Sequence, residues 1–502
     1  MTAPLPAPDA DPVLVPAPAG LLRRHRDFRM LWIGETANKY GSAVTGLALP
    51  LIAVSTLHAS TLQVGVLGAA GWLPWLLIGL PAGVWVDRLR CRPIMLAATT
   101  VSLLLYATVP LAALAGSLTL WHLLAVALLA GAAGVFFQTA YTAYLPQLLG
   151  PADQSEGNAK LHGSASAAGI AGLGSGGLIA QLAGPVNGLL ANTATFLLSL
   201  WCTARIGHHE PRRGGRTRRT LRREVGEGLR LLGSDVWFRT FALFGAASNL
   251  ALTGYQSLLV VFLIREVGVG EGTVGLLVAA ASTGGIVGAA IARRTAVRLG
   301  TSRAMLVLEL ALPALTLLIP LTGRGAGLAW YLIGGFGASC GVVAGNVVKA
   351  TFQQRYCPPE LLGRLSASSA VLNFGSIPLG ALLAGFLGTQ LGVRPAMWLM
   401  TAGVPLAALI LWCSPMRRVR DLPTERRAPV RGSRAPSSPP SPSSPSLPPA
   451  SSLPTTDADG AGAGADGAGA GADGSGAGGS GVDGSGVDGG RKPGGSAGRE
   501  RC

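Results

Sequence analysis

The chain has 502 residues, of which 49% are hydrophobic and 13% charged, and its 40 Lys and Arg outnumber 24 Asp and Glu to give a formal net charge of +16. So apolar a composition excludes an ordinary soluble domain, even though the last eighty-odd residues are polar and dilute the average. The six cysteines are scattered without Cys-x-x-Cys spacing and no Gly-x-x-x-x-Gly-Lys-(Ser/Thr) loop occurs, which argues against metal, disulfide, cofactor, enzyme and ATP-driven chemistry.

The first 20 residues, rich in Ala and Pro, lack a basic-then-apolar secretory pattern, so the first apolar stretch is expected to act as an uncleaved insertion signal. About 20 apolar residues cross a hydrocarbon core. Such stretches recur at 29–55, 62–86, 93–114, 119–145, 158–183, 187–206, 239–264, 272–295, 304–322, 327–352, 366–391 and 395–414. Period-2 alternation is missing, and a segment in lipid must satisfy its own backbone, so the spans are helices. The expected fold class is an all-α polytopic membrane protein with twelve transmembrane helices and both termini on one side. It divides into an N-terminal segment 1–28, a six-helix half 29–206, a basic linker 207–238, a second six-helix half 239–414 and a tail 415–502. The tail's Pro/Ser run, Pro436–Pro454, and Gly/Ala/Asp/Ser repeats, Asp457–Gly490, bury too little apolar surface to fold, and it reads as disordered.

Arginines choose the side. They gather at Arg23–Arg29, at Arg88, Arg90 and Arg92, at Arg212–Arg230, at Arg293–Arg303 and at Arg417–Arg420, all in alternate loops; the opposite loops hold little beyond Arg265, Arg324 and Arg394. The positive-inside rule puts both termini in the cytoplasm, and the Gly, Ala, Pro and Arg bias suggests a bacterial source and hence its inner membrane. Aromatic residues do not interleave with the Arg212–Arg230 run, so the charge reads as topology and contact with anionic lipid rather than nucleic-acid binding.

The chain repeats once. Phe28-Arg29 returns as Phe238-Arg239, and Tyr144-Leu-Pro-Gln-Leu-Leu-Gly150 as Tyr356-Cys-Pro-Pro-Glu-Leu-Leu-Gly363, an offset of about 210 residues. Two parallel halves of this kind place a substrate site between them near the midplane and work by alternating access.

The turn Gly83-Val-Trp-Val-Asp-Arg-Leu-Arg-Cys-Arg92 sets one acid and three arginines between the second and third spans. With the span count, the repeat and the long middle loop, it resembles the major facilitator superfamily signature Gly-x-x-x-Asp-(Arg/Lys)-x-Gly-(Arg/Lys)-(Arg/Lys). Gly83, Asp87, Arg88 and Arg92 match; Arg90 stands where the family has Gly, and Cys91 where it has a basic residue. Trp32-Ile-Gly-Glu-Thr-Ala-Asn-Lys-Tyr-Gly41 and Leu361-Leu-Gly-Arg-Leu-Ser-Ala367 are similar to a branch holding the bacterial enterobactin exporter and macrolide and multidrug efflux proteins. The resemblance implies that Gly83, Asp87, Arg88 and Arg92 form a conformational latch against helix 11, expected to begin near Ser366; the alternative is that the arginines only enforce topology. The corresponding turn of the second half, Gly288 to Arg293, lacks the acid, so a single latch is expected.

Ionisable groups within spans are costly and by default functional. Glu35 and Lys39 lie one turn apart on one helical face. Either they form a structural pair, or Glu35 carries protons in alternation with substrate. Glu309, about a turn from the start of its span, reads as structural, and Lys349 as a residue that snorkels. Asn38, Gln138, Asn192, Asn249, Gln256, Asn346 and Asn373, with Trp72, Trp75, Phe136 and Phe137, are candidates to line a pocket for an amphipathic ligand; each alone is also a plausible helix-to-helix hydrogen bond or packing group. The fifth span carries Gly169, Gly172, Gly174, Gly176 and Gly177, where antiporters of the superfamily have a Gly-Pro pair; Gly174-Ser175 stands nearest here. The reading is a monomeric exporter of small amphipathic molecules (drug, siderophore or secondary metabolite) in exchange for protons, with membrane lipid as surroundings. The alternatives are an importer or facilitator, and a non-transporting sensor or scaffold.

Overall fold

The computed structural model describes residues 20–208, 210, 230 and 233–424, without the side chains of residues 80, 84, 87, 359–364, 366 and 367. Most of the basic linker and nearly all of the tail therefore lie outside the described residues. Among the described residues, twelve long helical segments follow one another: α1 Arg26–Leu51, α2 Thr61–Arg88, α3 Cys91–Leu114, α4 Leu120–Leu148, α5 Gln154–Ala183, α6 Pro185–Ala204, α7 Val236–Val261, α8 in two pieces Glu271–Ser282 and Gly284–Leu299, α9 Thr301–Leu310 extended by a 3-10 stretch Pro313–Leu321, α10 Leu328–Tyr356, α11 Pro359–Leu391 and α12 Val393–Trp412. Ten of these segments are long and apolar enough to cross a membrane. The other two are α1, which carries Asp27, Arg29, Glu35 and Lys39, and α6, which carries Asn187 and Asn192.

Local chemistry sets the ends. A capping box of Ser60 and Gln63 opens α2, and Asp235 accepts from the amides of Trp237 and Phe238 to open α7. α11 begins at Pro359 rather than near Ser366, because proline in a first turn needs no amide partner. α8 runs on to Leu299, so the turn matching Gly83–Arg92 is not Gly288–Arg293: it lies at Gly300, whose φ of +87° suits glycine, opposite Arg90 at an offset of 210. Val297 then stands opposite Asp87, and the second turn still lacks the acid.

The repeat extends to single hydrogen bonds. α1 ends in a π-helical turn, Ile52–Thr56, and α7 in another, Phe262–Val267. The amide of Ala59 bonds the carbonyl of Ala53, and that of Val269 bonds Leu263. His58 at φ +50° and Gly268 at φ +72° are the left-handed residues that close the two turns.

Residues 20–25, 206–208, 210, 233–235 and 413–424 gather at one end of the bundle, here the terminal end, where Leu21 bonds Glu156, Gly207 bonds Asp27 and Thr301 bonds Asp421. The halves meet along α2 with α11 and α5 with α8. The buried apolar residues form three clusters. One, at the opposite or distal end, draws on both halves, with Leu51, Ile52 and Val64 beside Phe262, Val274 and Met397. The other two sit at the terminal end, one in each half, around Phe28, Met95 and Tyr144 and around Phe238, Phe241 and Tyr356. Apolar contact is thus shared distally and separate at the terminal end. Distally the backbones nearly touch: a Cβ on Gly177 would stand 2.6 Å from the Cα of Gly275, and one on Gly65 2.6 Å from the carbonyl oxygen of Ala381.

Candidate functional site

The four-residue spacing of Glu35 and Lys39 brings them together on α1. Lys39 Nζ lies 3.1 Å from Glu35 Oε1, with the carboxylate only 4% exposed. Asn38 Nδ2 donates to Glu35 Oε2 at 3.5 Å, and Lys39 Nζ donates to Gln138 Oε1 of α4 at 3.5 Å. Four of the candidate residues are therefore one network. The buried carboxylate has lost its water and needs such polar partners, whereas Lys39 keeps contact with solvent. At 1.5 Å per residue, Glu35 and Gln138 stand about 14 and 15 Å from the terminal ends of their helices, near the middle of a core of about 30 Å.

The second half adds amides about 20 Å from the terminal ends of their helices, level with Lys39. Asn249 Nδ2 of α7 donates to Asn373 Oδ1 of α11 at 3.0 Å, and Asn373 Nδ2 donates to the Ser369 carbonyl at 2.7 Å. Beside Asn373, Phe374 stacks on Trp72 at 6.1 Å between ring centroids and tilts against Trp75 at 4.8 Å, an aromatic seam across the two halves. Asn346 is exposed on α10, about 15 Å from its terminal end, whereas exposed Gln256 lies about 30 Å up α7 and outside this layer. Asn192 is fully buried and bonds Thr45 between α6 and α1. Phe137 stacks on Tyr141 within α4, and Phe136 on Trp85 of α2.

At the Gly83–Arg92 turn, Gly83 faces open space, Arg88 is exposed at the end of α2, and the side chain of Asp87 lies outside the described residues. Arg92 turns toward its own half: Nη2 donates to the Ala204 carbonyl at 2.8 Å and Nε to that of Thr203 at 3.2 Å, closing the end of α6. Glu210 accepts in return from the amides of Cys91 and Arg92, at 2.5 and 2.6 Å, at the start of α3. Glu309, on α9, is buried where Gly345 leaves room for its carboxyl, and Lys349 lies one turn further along the same face of α10.

Sequence reasoning missed Phe374 and Glu210. The first adjoins a candidate asparagine, which was a signal; the second is an ordinary loop acid until the end of α6 and the start of α3 are set side by side.

Two parallel six-helix halves that share an apolar core at the distal end and hold polar groups at mid-depth define a transporter of the major facilitator fold. The sequence profile of the transmembrane secretion effector family matches residues 19–434, and the chain belongs to that family within the major facilitator superfamily. The multidrug efflux pump Tap of Mycolicibacterium fortuitum is 28% identical over 400 residues, covering 76% of this chain and 94% of the pump. Among solved structures, the nucleoside transporter NupG matches with a TM-score of 0.64 at 12% identity, over 78% of this chain and 99% of that one. A bacterial homologue of the iron transporter ferroportin in an inward-facing state matches with a TM-score of 0.64 at 16% identity, over 79% and 99%. These structures share the fold.

Proposed function

We propose that the protein exports small amphipathic molecules across a bacterial inner membrane by alternating access, in exchange for protons carried at Glu35. The observation that carries this reading is the Glu35–Lys39 pair, its carboxylate buried and braced by Asn38 and Gln138 a little to the terminal side of the aromatic seam. Protonating Glu35 discharges the pair, frees Lys39 and Gln138 and accompanies release of substrate; substrate entering the seam displaces the proton and lets the pair re-form. The similarity to an efflux pump favours export, and the terminal-end arginines favour a cytoplasmic position for that end. The shared distal core then makes this arrangement one open toward the cytoplasm. Asp87, with Gly83 and Arg88, remains the proposed latch of the opposite state, while Arg92 and Glu210 anchor the turn.

The test is accumulation of a panel of fluorescent dyes and antibiotics in an efflux-deficient bacterium expressing the protein or its Glu35→Gln variant, with and without a protonophore. Reduced accumulation abolished by both the substitution and the uncoupler is expected. Raised accumulation would indicate import, and export untouched by the protonophore would refute proton coupling.

A further inference from the structure

The distal loops carry few positive charges, yet three arginines there converge on one short element, the π-helical end of α7. Arg324, from the α9–α10 loop, donates from Nε to the Val267 carbonyl at 2.9 Å and packs its guanidinium beneath Gly268. Arg394, at the start of α12, lies over the Phe262 ring with its guanidinium carbon 5.3 Å from the centroid, and donates from Nη1 to the Pro320 carbonyl at 3.0 Å. Both bonds stay within the second half. The third arginine, Arg265, belongs to the π turn itself and reaches the other way, donating from Nη2 to the Ala59 carbonyl of the first half at 2.7 Å. Among the described residues it is the one hydrogen bond joining the halves at the distal end.

We infer that Arg265 is the releasable fastener of a distal gate, a positioning residue for transport, with Arg324 and Arg394 as the brace that keeps its π turn fixed to the second half. The acceptor suits that role. A guanidinium on a backbone carbonyl is a charge-assisted bond without a second buried charge, so breaking it exposes no uncompensated ion. Arg265 is exposed, and water takes over both its donors and the Ala59 oxygen when the halves part. The place equivalent to Arg265 in the first half, 210 residues earlier, is Ser55, too short to reach across; the fastener is therefore one-sided. The close approaches of Gly65 to Ala381 and of Gly177 to Gly275 bring the halves within its reach.

The meaning of this gate rests on the transport reading, but its test needs no substrate. Hydrogen exchange is followed by mass spectrometry on the full chain in lipid nanodiscs, comparing the native protein with Arg265→Ala, Arg265→Lys and Arg394→Ala. For Arg265→Ala we expect exchange to rise several-fold in both distal turns, 52–60 and 262–270, and to fall at the terminal ends of α4, α5, α10 and α11 as the opposite state gains population. Arg265→Lys, which keeps one shorter cationic donor, should shift part of the way, and it carries the test if the alanine variant does not reach the membrane. Arg394→Ala should raise exchange only within the second half. A rise confined to 262–270, with no reciprocal fall at the terminal ends, would reduce Arg265 to a local structural bond and overturn the inference. Dye export by the same variants separates the two readings: the reciprocal shift without export of any dye keeps the gate and removes the transport function, whereas native export with no shift removes the gate alone.

Discussion

Position for position, α1 and α7 hold opposite chemistry on one backbone plan. Glu35 and Lys39 of α1 correspond, 210 residues on, to Gly245 and Asn249 of α7. In the first half a carboxylate and an ammonium meet at 3.1 Å. In the second the carboxylate is gone, the space beside Gly245 is filled by the Asn373 side chain from α11, and Asn249 bonds that same amide. One half thus carries a network whose charge depends on protonation, the other a neutral network that does not. A pair of halves that move against each other can then divide labour, with proton coupling on one side of the seam and protonation-independent contacts on the other.

The strongest way to break this comparison is to leave the first-half acid unpartnered. Lys39→Ala strands a buried carboxylate and should cost about 3 kcal/mol, at the low end for a buried pair because Lys39 is 39% exposed. Thermal unfolding in detergent should show a large loss, restored mostly in the Lys39→Ala/Glu35→Gln double variant; equal losses in both would mean the pair carries no coupled charge. In the second half, Gly245→Ala would put a Cβ 2.5 Å from Asn373 Oδ1 and force that amide aside. We expect a loss of about 1–2 kcal/mol and an altered dye profile, with the protonophore response of export unchanged. If the uncoupler response also vanishes, the halves do not divide labour in this way.

The architecture of these halves was largely legible, because twenty-residue apolar stretches report membrane helices directly and the 210-residue echo reports their pairing. The Glu35–Lys39 contact was legible too, since a four-residue spacing on a helix has one outcome. Gln138 as the partner of Lys39 was not, nor was Phe374 as the partner of Trp72 and Trp75, because both contacts join helices far apart in the chain. The second-half turn was misplaced at Gly288–Arg293 by its glycine, although the offset that pairs Phe28 with Phe238 also pairs Arg90 with Gly300. Arg265, Arg324 and Arg394 stood out as exceptions on the sparsely charged side; only the fold shows that they meet.

Where the halves agree, variants should agree. Glu210 caps the start of α3 and Asp421 the start of α9, so Glu210→Gln and Asp421→Asn should each cost about 1 kcal/mol by thermal unfolding. Unequal costs would show that the basic linker loads one cap and not the other. The smallest expected effect lies at the left-handed residue of each distal turn. His58 holds the conformation that glycine holds at 268, and His58→Gly should raise stability by roughly 0.5 kcal/mol, the relief of αL strain less the added freedom of the unfolded chain; a lower melting temperature would mean that the imidazole makes a compensating contact.

The central claim, that a proton leaves Glu35 as substrate enters, is tested most directly by mixing the purified protein in weakly buffered detergent solution with a dye that it exports and following proton release with a pH indicator. The account predicts release from the native protein and none from Glu35→Gln, with dye binding retained in both. Equal release from the two proteins would place the coupling group elsewhere and contradict it.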